Sequence, residues 1–497
     1  MTKKYLLVIL IISLSFFNCF SASTTDDELI TTYKHKVEKN IFPISDFTFE
    51  ELVKLSKTAE PDENLKLKLA NHLLMTHVIN KNYTETLDRP YIRVAHWNIE
   101  RGFNITEIED ALLKTNDFET SHLKNLGDRH WKHFKEELRT FADSDILCLS
   151  EVDIGLPRTE YKNIPAELAD LLGWNYAYTT EFVEVGPLFL NQKVDEKKYK
   201  GLHGNVIISR FPIISARVIR LPDFYDWYRN EVKLKDPPLE KFRKIGAKFI
   251  FRQHIERFEV RHGGRHAIIA DIKLPNDKVF TIVTSHLEDR TYPDLRFKQF
   301  KYLLDTIKDI KNPVVLAGDF NTSTTDTRST SVKKEIAKRI RDPHFILRQV
   351  ATFVIPGVPV ASGLGAIAFS KLLQYKDPFF LNIPIIFPNH ERKFYLHLKK
   401  FTFSDGHGFD LSGDNKHSSN GKRGLLANSN QRHWKGFKST YKLEEPRIIA
   451  YFKLDWFFIK PHGDQFKPFN GRTLKTFNRS YPGGISDHNP ITVDLKF

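Results

Sequence analysis

The chain has 497 residues, 41% hydrophobic and 13% aromatic, with 40 phenylalanines, which excludes a disordered or low-complexity protein. Its formal net charge of +14 suits an anionic partner such as phosphate, nucleic acid or a membrane surface, or a solvated basic face without a partner. With only 2 cysteines, a disulfide framework and a cysteine-bound structural zinc are both excluded.

Lys3 and Lys4 precede the apolar run YLLVILIISLSFF, which leads into NCFSAS. That order predicts a secretory signal over residues 1–23, cleaved near Ala22 or Ser23. The run is shorter than the roughly 20 residues of a spanning helix. An uncleaved membrane anchor and a lipid anchor at Cys19 are the alternatives. The expected location is secreted, periplasmic or cell envelope. Residues 24–88 are charged, with apolar positions at helical spacing in FTFEELVKLSKTAE and LKLKLANHLLMTHVI. They predict an N-terminal helical extension.

From Tyr91 the pattern changes to short strand-like runs: YIRVAHW, DILCLSE, NVIISR, HAIIADI, VFTIVTSH, PVVLAGD, LDWFFIK and NPITVDLKF. Helical patterns lie between some of them, in WKHFKEELRTFA, IPAELADLLG and DLRFKQFKYLLDTIKDI. The expectation is an α/β or α+β domain over 89–497, with helices covering sheet faces. An insertion interrupts it at about 324–450. The insertion opens with a basic helix candidate, VKKEIAKRIRD. It continues through an apolar stretch, Ala351–Phe369, and a polar loop, DLSGDNKHSSNGKRG.

Strand after strand ends in polar groups. Asn98 and Glu100 follow one in HWNIE, and Glu151 ends another in LCLSEVD. His286 and Glu288 end a third in TSHLED, and Asp319 and Asn321 a fourth in AGDFN. Asp455 lies in KLDWFFIK, and Asp487 and His488 precede the last strand in ISDHNPI. Buried polar groups cost free energy unless they find partners, so their convergence on one site is the economical explanation. The ligands on offer are hard oxygens, which suit Mg²⁺ or Mn²⁺. Imidazoles beside them would serve as donors to an anionic oxygen.

The set WNIE, SEVD, GLHGNVIISRFPI, TSHLE, GDFNTS, LDWFFI and SDHNPI resembles the endonuclease/exonuclease/phosphatase superfamily. That superfamily includes pancreatic-type deoxyribonucleases, abasic-site endonucleases, neutral sphingomyelinases and inositol-phosphate phosphatases. The resemblance runs from about Tyr91 to Phe497 outside the insertion. It implies a two-sheet β-sandwich flanked by helices and a Mg²⁺- or Mn²⁺-dependent phosphoester hydrolase.

By the same resemblance, Asn98, Glu151 and Asp487 are metal residues, with Glu151 the direct ligand and Asp487 also the partner of His488. Asp319 activates or orients the attacking water, and Asn321 and His286 hold the phosphate. His488 is the second phosphate histidine, and Asp455 is the acid near the leaving group. Asn98 and Asn205 line the substrate site. Glu100 and Glu288 receive no role. The substrate is expected to be a phosphodiester, of nucleic acid or another kind. A sphingomyelin-like or inositol-phosphate head group is the alternative, with peripheral membrane contact through the insertion. A non-catalytic binding module predicts missing site residues, and none is missing. A monomer is expected.

Overall fold

The computed structural model describes residues 45–81, 86–87, 89–122, 131–186, 194–232, 260–291, 293–322, 392–410, 440–443 and 450–496. The chain divides into Met1–Pro43 and Ile44–Phe497. The first unit, with the expected signal, lies outside the described residues. So do VKKEIAKRIRD, Ala351–Phe369 and the polar loop of the insertion after Asp410.

In chain order the elements begin with α1 (Phe49–Leu55), α2 (Glu63–Leu74), β1 (His77–Ile79) and β2 (Tyr91–Asn98). Next come α3 (Ile105–Leu113), α4 (Thr115–His122), α5 (Trp131–Ala142), β3 (Ile146–Ile154), α6 (Ile164–Leu172), β4 (Asn175–Glu184) and β5 (Leu202–Ser209). Then follow β6 (Ile213–Arg220), α7 (Trp227–Val232), β7 (Arg261–Gly263), β8 (His266–Lys273), β9 (Val279–His286), α8 (Pro293–Ile307) and β10 (Val314–Asp319). The last are α9 (Arg392–Lys400), β11 (Tyr441–Leu443), β12 (Ala450–Phe452), β13 (Asp455–Lys460), β14 (Lys467–Thr473), α10 (Lys475–Asn478) and β15 (Ile491–Lys496).

Among the described residues the strands make two large sheets. One has eight strands in the order β1-β4-β5-β3-β2-β15-β14, with β7 also paired to β4. The other runs β13-β10-β9-β8-β6. The strands alternate between two apolar faces because both faces are covered. Ile92 and Val94 of β2 and Ile146 and Cys148 of β3 face inward, against Ile268, Ile282, Val315, Ala317 and Phe457 of the other sheet. The intervening Ala95, Trp97, Leu147 and Leu149 face outward, under α3, α5 and α6. Phe300, Leu303 and Ile307 of α8 and Phe394 of α9 cover the outer face of the second sheet. The fold is therefore a sandwich of two sheets between helical layers, as the resemblance implied.

The helix predicted through LKLKLANHLLMTHVI is shorter than its apolar spacing suggested. Asp62 caps α2 by accepting from Leu65 N, and the helix stops at Leu74 with Met75 extended. Val78 and Ile79 instead join the sheet edge, where β1 pairs with Tyr176–Tyr178 of β4. Branched side chains fit the pleated surface better than a helix end. Phe47, Leu52, Leu55 and Leu65 pack with Leu156, Val183 and Tyr199 of the main domain.

Part of the insertion region is held to the second sheet. Asp410 N donates to Ile459 O at 2.7 Å. The buried ammonium of Lys460 reaches Ile310 O at 2.7 Å and Asp405 Oδ2 at 2.5 Å.

Candidate active site

The inner faces of the sandwich do not stay apolar to the end. Extending the alternation from Val94 leads to His96 and Asn98, from Ile282 to Thr284 and His286, from Ala317 to Asp319, and from Phe457 back to Asp455. Register aligns them, since Asp319 stands beside His286 on the parallel neighbour and beside Asp455 on the antiparallel one. Gly318 lets β9 come close, because a Cβ there would lie 2.0 Å from Ser285 O. In the first sheet Asn98 stands beside Ser150.

Glu151 shares its parity with outward-facing Leu147 and Leu149. A bulge between Leu149 and Val152, with Glu151 at φ 56°, turns it back toward Asn98. Asn321, at φ 48°, makes a similar left-handed turn after β10. Such backbone at two polar positions is a cost that functional sites commonly carry.

The contacts tie these groups into one cluster. Asn98 Nδ2 donates to Glu151 Oε1 at 3.0 Å and to Asp319 Oδ2 at 3.2 Å. Asp319 Oδ1 accepts from Asn321 N at 2.9 Å. His286 Nε2 and His488 Nε2 flank Asp319 Oδ2 at 3.6 and 3.7 Å. The SDH loop is docked on β2, where Ser486 Oγ donates to Asn98 O at 2.7 Å and Trp97 Nε1 to His488 O at 2.8 Å.

Two roles read from the sequence need correction. Asp487 was paired with its neighbour His488, but His488 Nδ1 lies 2.8 Å from Asp455 Oδ2 instead. Asp487 stands at the exposed rim, whereas β13 brings Asp455 to His488 Nδ1. Asp455 was also read as an acid near the leaving group. Its second oxygen meets His96 Nε2 at 3.0 Å, so both oxygens face imidazoles and it has no proton to give. Asn205 is buried on β5, with its amide nitrogen 3.3 Å from His266 Nε2 and, among the described residues, no hydrogen-bond partner for its Oδ1. Among the described residues it makes no hydrogen bond to the Asp319 cluster.

The electrostatics divide the site. Burial pushes Asp455 up, but His488 and the hydrogen bonds from both imidazoles outweigh it and hold the carboxyl well below the usual range. His488 is disfavoured as a cation by burial, yet Asp455, Asp319 and Asp487 raise it well above its ordinary value. Burial first, then Asp455, pushes Asp319 up to about 7. Burial and Arg265 press His286 well below its ordinary value.

A second acidic group adjoins Glu151. Asp487 N donates to Glu100 Oε2 at 3.0 Å, and burial with the charges of Asp487 and Glu151 raises Glu100 to about 8. Asp487 stands at the exposed rim, raised to about 6 by desolvation and by Glu151 and Asp319, a push that rim solvent tempers. Three carboxylates that each oppose the ionisation of another form a hard-oxygen donor set short of positive charge, which fits a divalent cation. One ligand atom each from Asp319, Asp455 and His488 also lie within 4.8 Å of one another, a spacing a metal could use, although Asp455 and His488 already engage each other.

The sequence assigns no role to Glu100 and does not single out His96, Arg265 or Thr440. His96 had a signal, since it continues the inward parity of Ile92 and Val94. Arg265 and Thr440 had none, because their partners are distant in the chain.

Order and geometry together identify the class. The chain belongs to the Endonuclease/Exonuclease/phosphatase family, which it matches over residues 95–488. Among solved structures it is similar to an endonuclease/exonuclease/phosphatase from Beutenbergia cavernae DSM 12333, at 15% identity, covering 82% of this chain and 72% of that one, with a TM-score of 0.37. It is similar to the human Nocturnin catalytic domain with bound sulfate, at 15% identity, 85% and 97% coverage and a TM-score of 0.37. It is also similar to a 3'-5' exonuclease from Neisseria meningitidis, at 14% identity, 82% and 100% coverage and a TM-score of 0.38. No curated protein matches the chain by sequence. Among the described residues no helix is long and apolar enough to cross a membrane.

Proposed function

We propose that this protein hydrolyses phosphoester bonds, in particular phosphodiesters, by direct attack of water on phosphorus with a divalent cation, Mg²⁺ or Mn²⁺. The observation that carries the reading is the position of Asp319. It is a buried carboxylate raised to about 7, flanked by His286 Nε2 at 3.6 Å and His488 Nε2 at 3.7 Å. A base with that affinity takes a proton from water near neutral pH.

Each remaining residue has a task in this reading. Asp319 orients the water and receives its proton. His488, kept cationic by Asp455, donates to a phosphoryl oxygen. His286 and the Asn321 amide donate to another. Glu151, Glu100 and Asp487, with the Asn98 carbonyl, would hold the cation. Bound there, it would supply positive charge against the phosphate and the leaving oxygen. Asn205 and Asn98 are proposed to line the substrate site.

Nucleic acid is the first substrate to test, since the +14 charge favours a polyanion. A phospholipid or inositol-phosphate head group is the runner-up. Export through the N-terminal segment rests on the sequence alone. The experiment is an assay of plasmid DNA, RNA, sphingomyelin, phosphoinositides and a bis-aryl phosphodiester, with Mg²⁺, Mn²⁺ or EDTA. Cleavage that EDTA and Asp319→Ala both abolish supports the chemistry, and the cleaved member names the substrate. No cleavage, together with no divalent-ion binding, defeats it.

A further inference from the structure

The group behind His286 is not a carboxylate. Arg265 Nη1 donates to His286 Nδ1 at 2.9 Å. The nearest acid on that side, Glu181 Oε2, stands 3.9 Å from the same nitrogen and engages Arg265 at 3.2 Å instead. Arg265 is buried and held from two further directions, by Asp289 Oδ1 on Nη2 at 2.8 Å and Glu288 Oε2 beside Nε at 3.4 Å. Glu288 is fixed in turn by the indole of Trp227, which donates to it at 3.0 Å. The guanidinium therefore cannot swing away.

A guanidinium has five N–H donors, no acceptor, and keeps its charge in proteins. His286 Nδ1 must then offer its lone pair. Each ring nitrogen faces a donor, and the neutral ring's one lone pair goes to the charged, shorter contact with Arg265 at 2.9 Å rather than to the uncharged Asn321 amide at 3.1 Å, which leaves its one proton on Nε2. On that side Nε2 lies 3.1 Å from the Asn321 amide nitrogen, which also donates to Leu287 O at 2.9 Å. Among the described residues the carboxylate oxygen near that proton is Asp319 Oδ2, at 3.6 Å. The Nε2 proton and the Asn321 N–H that Leu287 O does not take stand side by side, an arrangement that an anionic oxygen between them would complete.

We infer that Arg265 is a positioning residue that fixes His286 as a neutral imidazole donating from Nε2, so that His286 and Asn321 form a two-donor cradle for one phosphoryl oxygen. The cradle's occupant rests on the phosphoester reading above; the tautomer does not. His286 then differs in kind from His488, which a carboxylate backs. It gives a hydrogen bond throughout the reaction and never its proton.

The test is 15N NMR of the full chain labelled at histidine, with His286 assigned by comparison with His286→Asn. The expected spectrum shows a directly bonded proton on Nε2 and none on Nδ1. A proton on Nδ1, or on both nitrogens, overturns the inference. Kinetics give the second arm. Arg265→Met should free the tautomer and lower kcat by about tenfold or more with little change in KM, as for a group acting in the transition state. Arg265→Lys, which still donates, should restore the Nε2 proton and part of kcat. A folded Arg265→Met protein with unchanged tautomer and kcat also overturns it. If Arg265→Met does not fold, the wild-type spectrum still decides. A wild-type protein that cleaves no phosphoester defeats the functional reading and leaves the tautomer to be judged by NMR.

Discussion

Asp455 and His488 share a buried 2.8 Å contact between Oδ2 and Nδ1, and His96 closes the other carboxylate oxygen at 3.0 Å. The carboxylate is locked in place and ionised, and it keeps His488 charged. Asp455→Asn preserves the shape and removes that charge. Breaking a buried pair also leaves a lone ion, at a cost of about 3–5 kcal/mol. We expect kcat to fall by about a hundredfold or more, the range for a lost acid–base group. His488 should then lose its proton at lower pH, so the alkaline decline of the rate moves toward neutrality. Paired pH–rate profiles of wild type and Asp455→Asn check both effects.

The acid side of the profile belongs to Asp319, whose carboxyl is raised to about 7 by burial and Asp455. A base works only when ionised, so kcat/KM should rise with pH through about 7 and level off above it. Positive charge bound beside it favours the ionised form. Raising the Mg²⁺ concentration should therefore shift that limb to lower pH. A limb that ignores Mg²⁺ would remove Asp319 as the base.

Much of this is legible in the sequence. The strands carrying Asn98, His286, Asp319 and Asp455 announced themselves as apolar runs ending in polar groups, because burial on both faces leaves little choice of residue. Less visible were β4, β6 and β14. NYAYTTEFVE of β4 carries threonines and acids that the site end of the sandwich requires, which blurs its alternation. Glu100 was unreadable for a different reason. Its carboxylate matters through Asp487 and Glu151, far away in the chain, and a lone glutamate after a strand is indistinguishable from a surface charge. The His488–Asp455 pairing was equally hidden, since sequence adjacency favoured Asp487.

Glu100 and Asp319, at about 8 and 7, sit above their unfolded values near 4, and Asp487 does so less strongly because rim solvent screens it. Without metal the folded protein therefore binds these protons more tightly than the unfolded chain does. Their stabilising contribution is complete below about pH 4 and is lost as pH rises through 6 to 8. A cation that binds only the folded form restores it. The Tm difference between Mg²⁺-loaded and EDTA-treated protein should widen from pH 5.5 to 8.5. Glu100→Gln should raise the EDTA-treated Tm at pH 8 and weaken divalent-ion affinity by about tenfold or more, since it removes one of the carboxylates that would hold the cation. A lower EDTA-treated Tm in that variant would show that Glu100 is stabilised by something other than a bound cation.

Thr440 provides the last prediction. It is buried at the end of the insertion region, and its hydroxyl accepts from Leu454 N at 3.0 Å and Asp455 N at 3.2 Å. Its carbonyl accepts from Asn489 N at 2.7 Å. One residue thus joins the start of β13, which carries Asp455, to the loop that carries His488. Next to it, the Tyr441 ring lies 5.0 Å from the His488 ring. Thr440→Val keeps the volume and the carbonyl but strands two backbone donors, a loss of about 1–3 kcal/mol for each buried group left unpaired. Denaturant unfolding should register that loss. Thr440→Ser, which keeps the hydroxyl, should recover most of it. Because the freed strand end carries Asp455, kcat should fall in Thr440→Val and return in Thr440→Ser, with KM nearly constant. A stability loss without a kcat loss would mean that the clamp holds the fold together but does not set the position of Asp455 against His488.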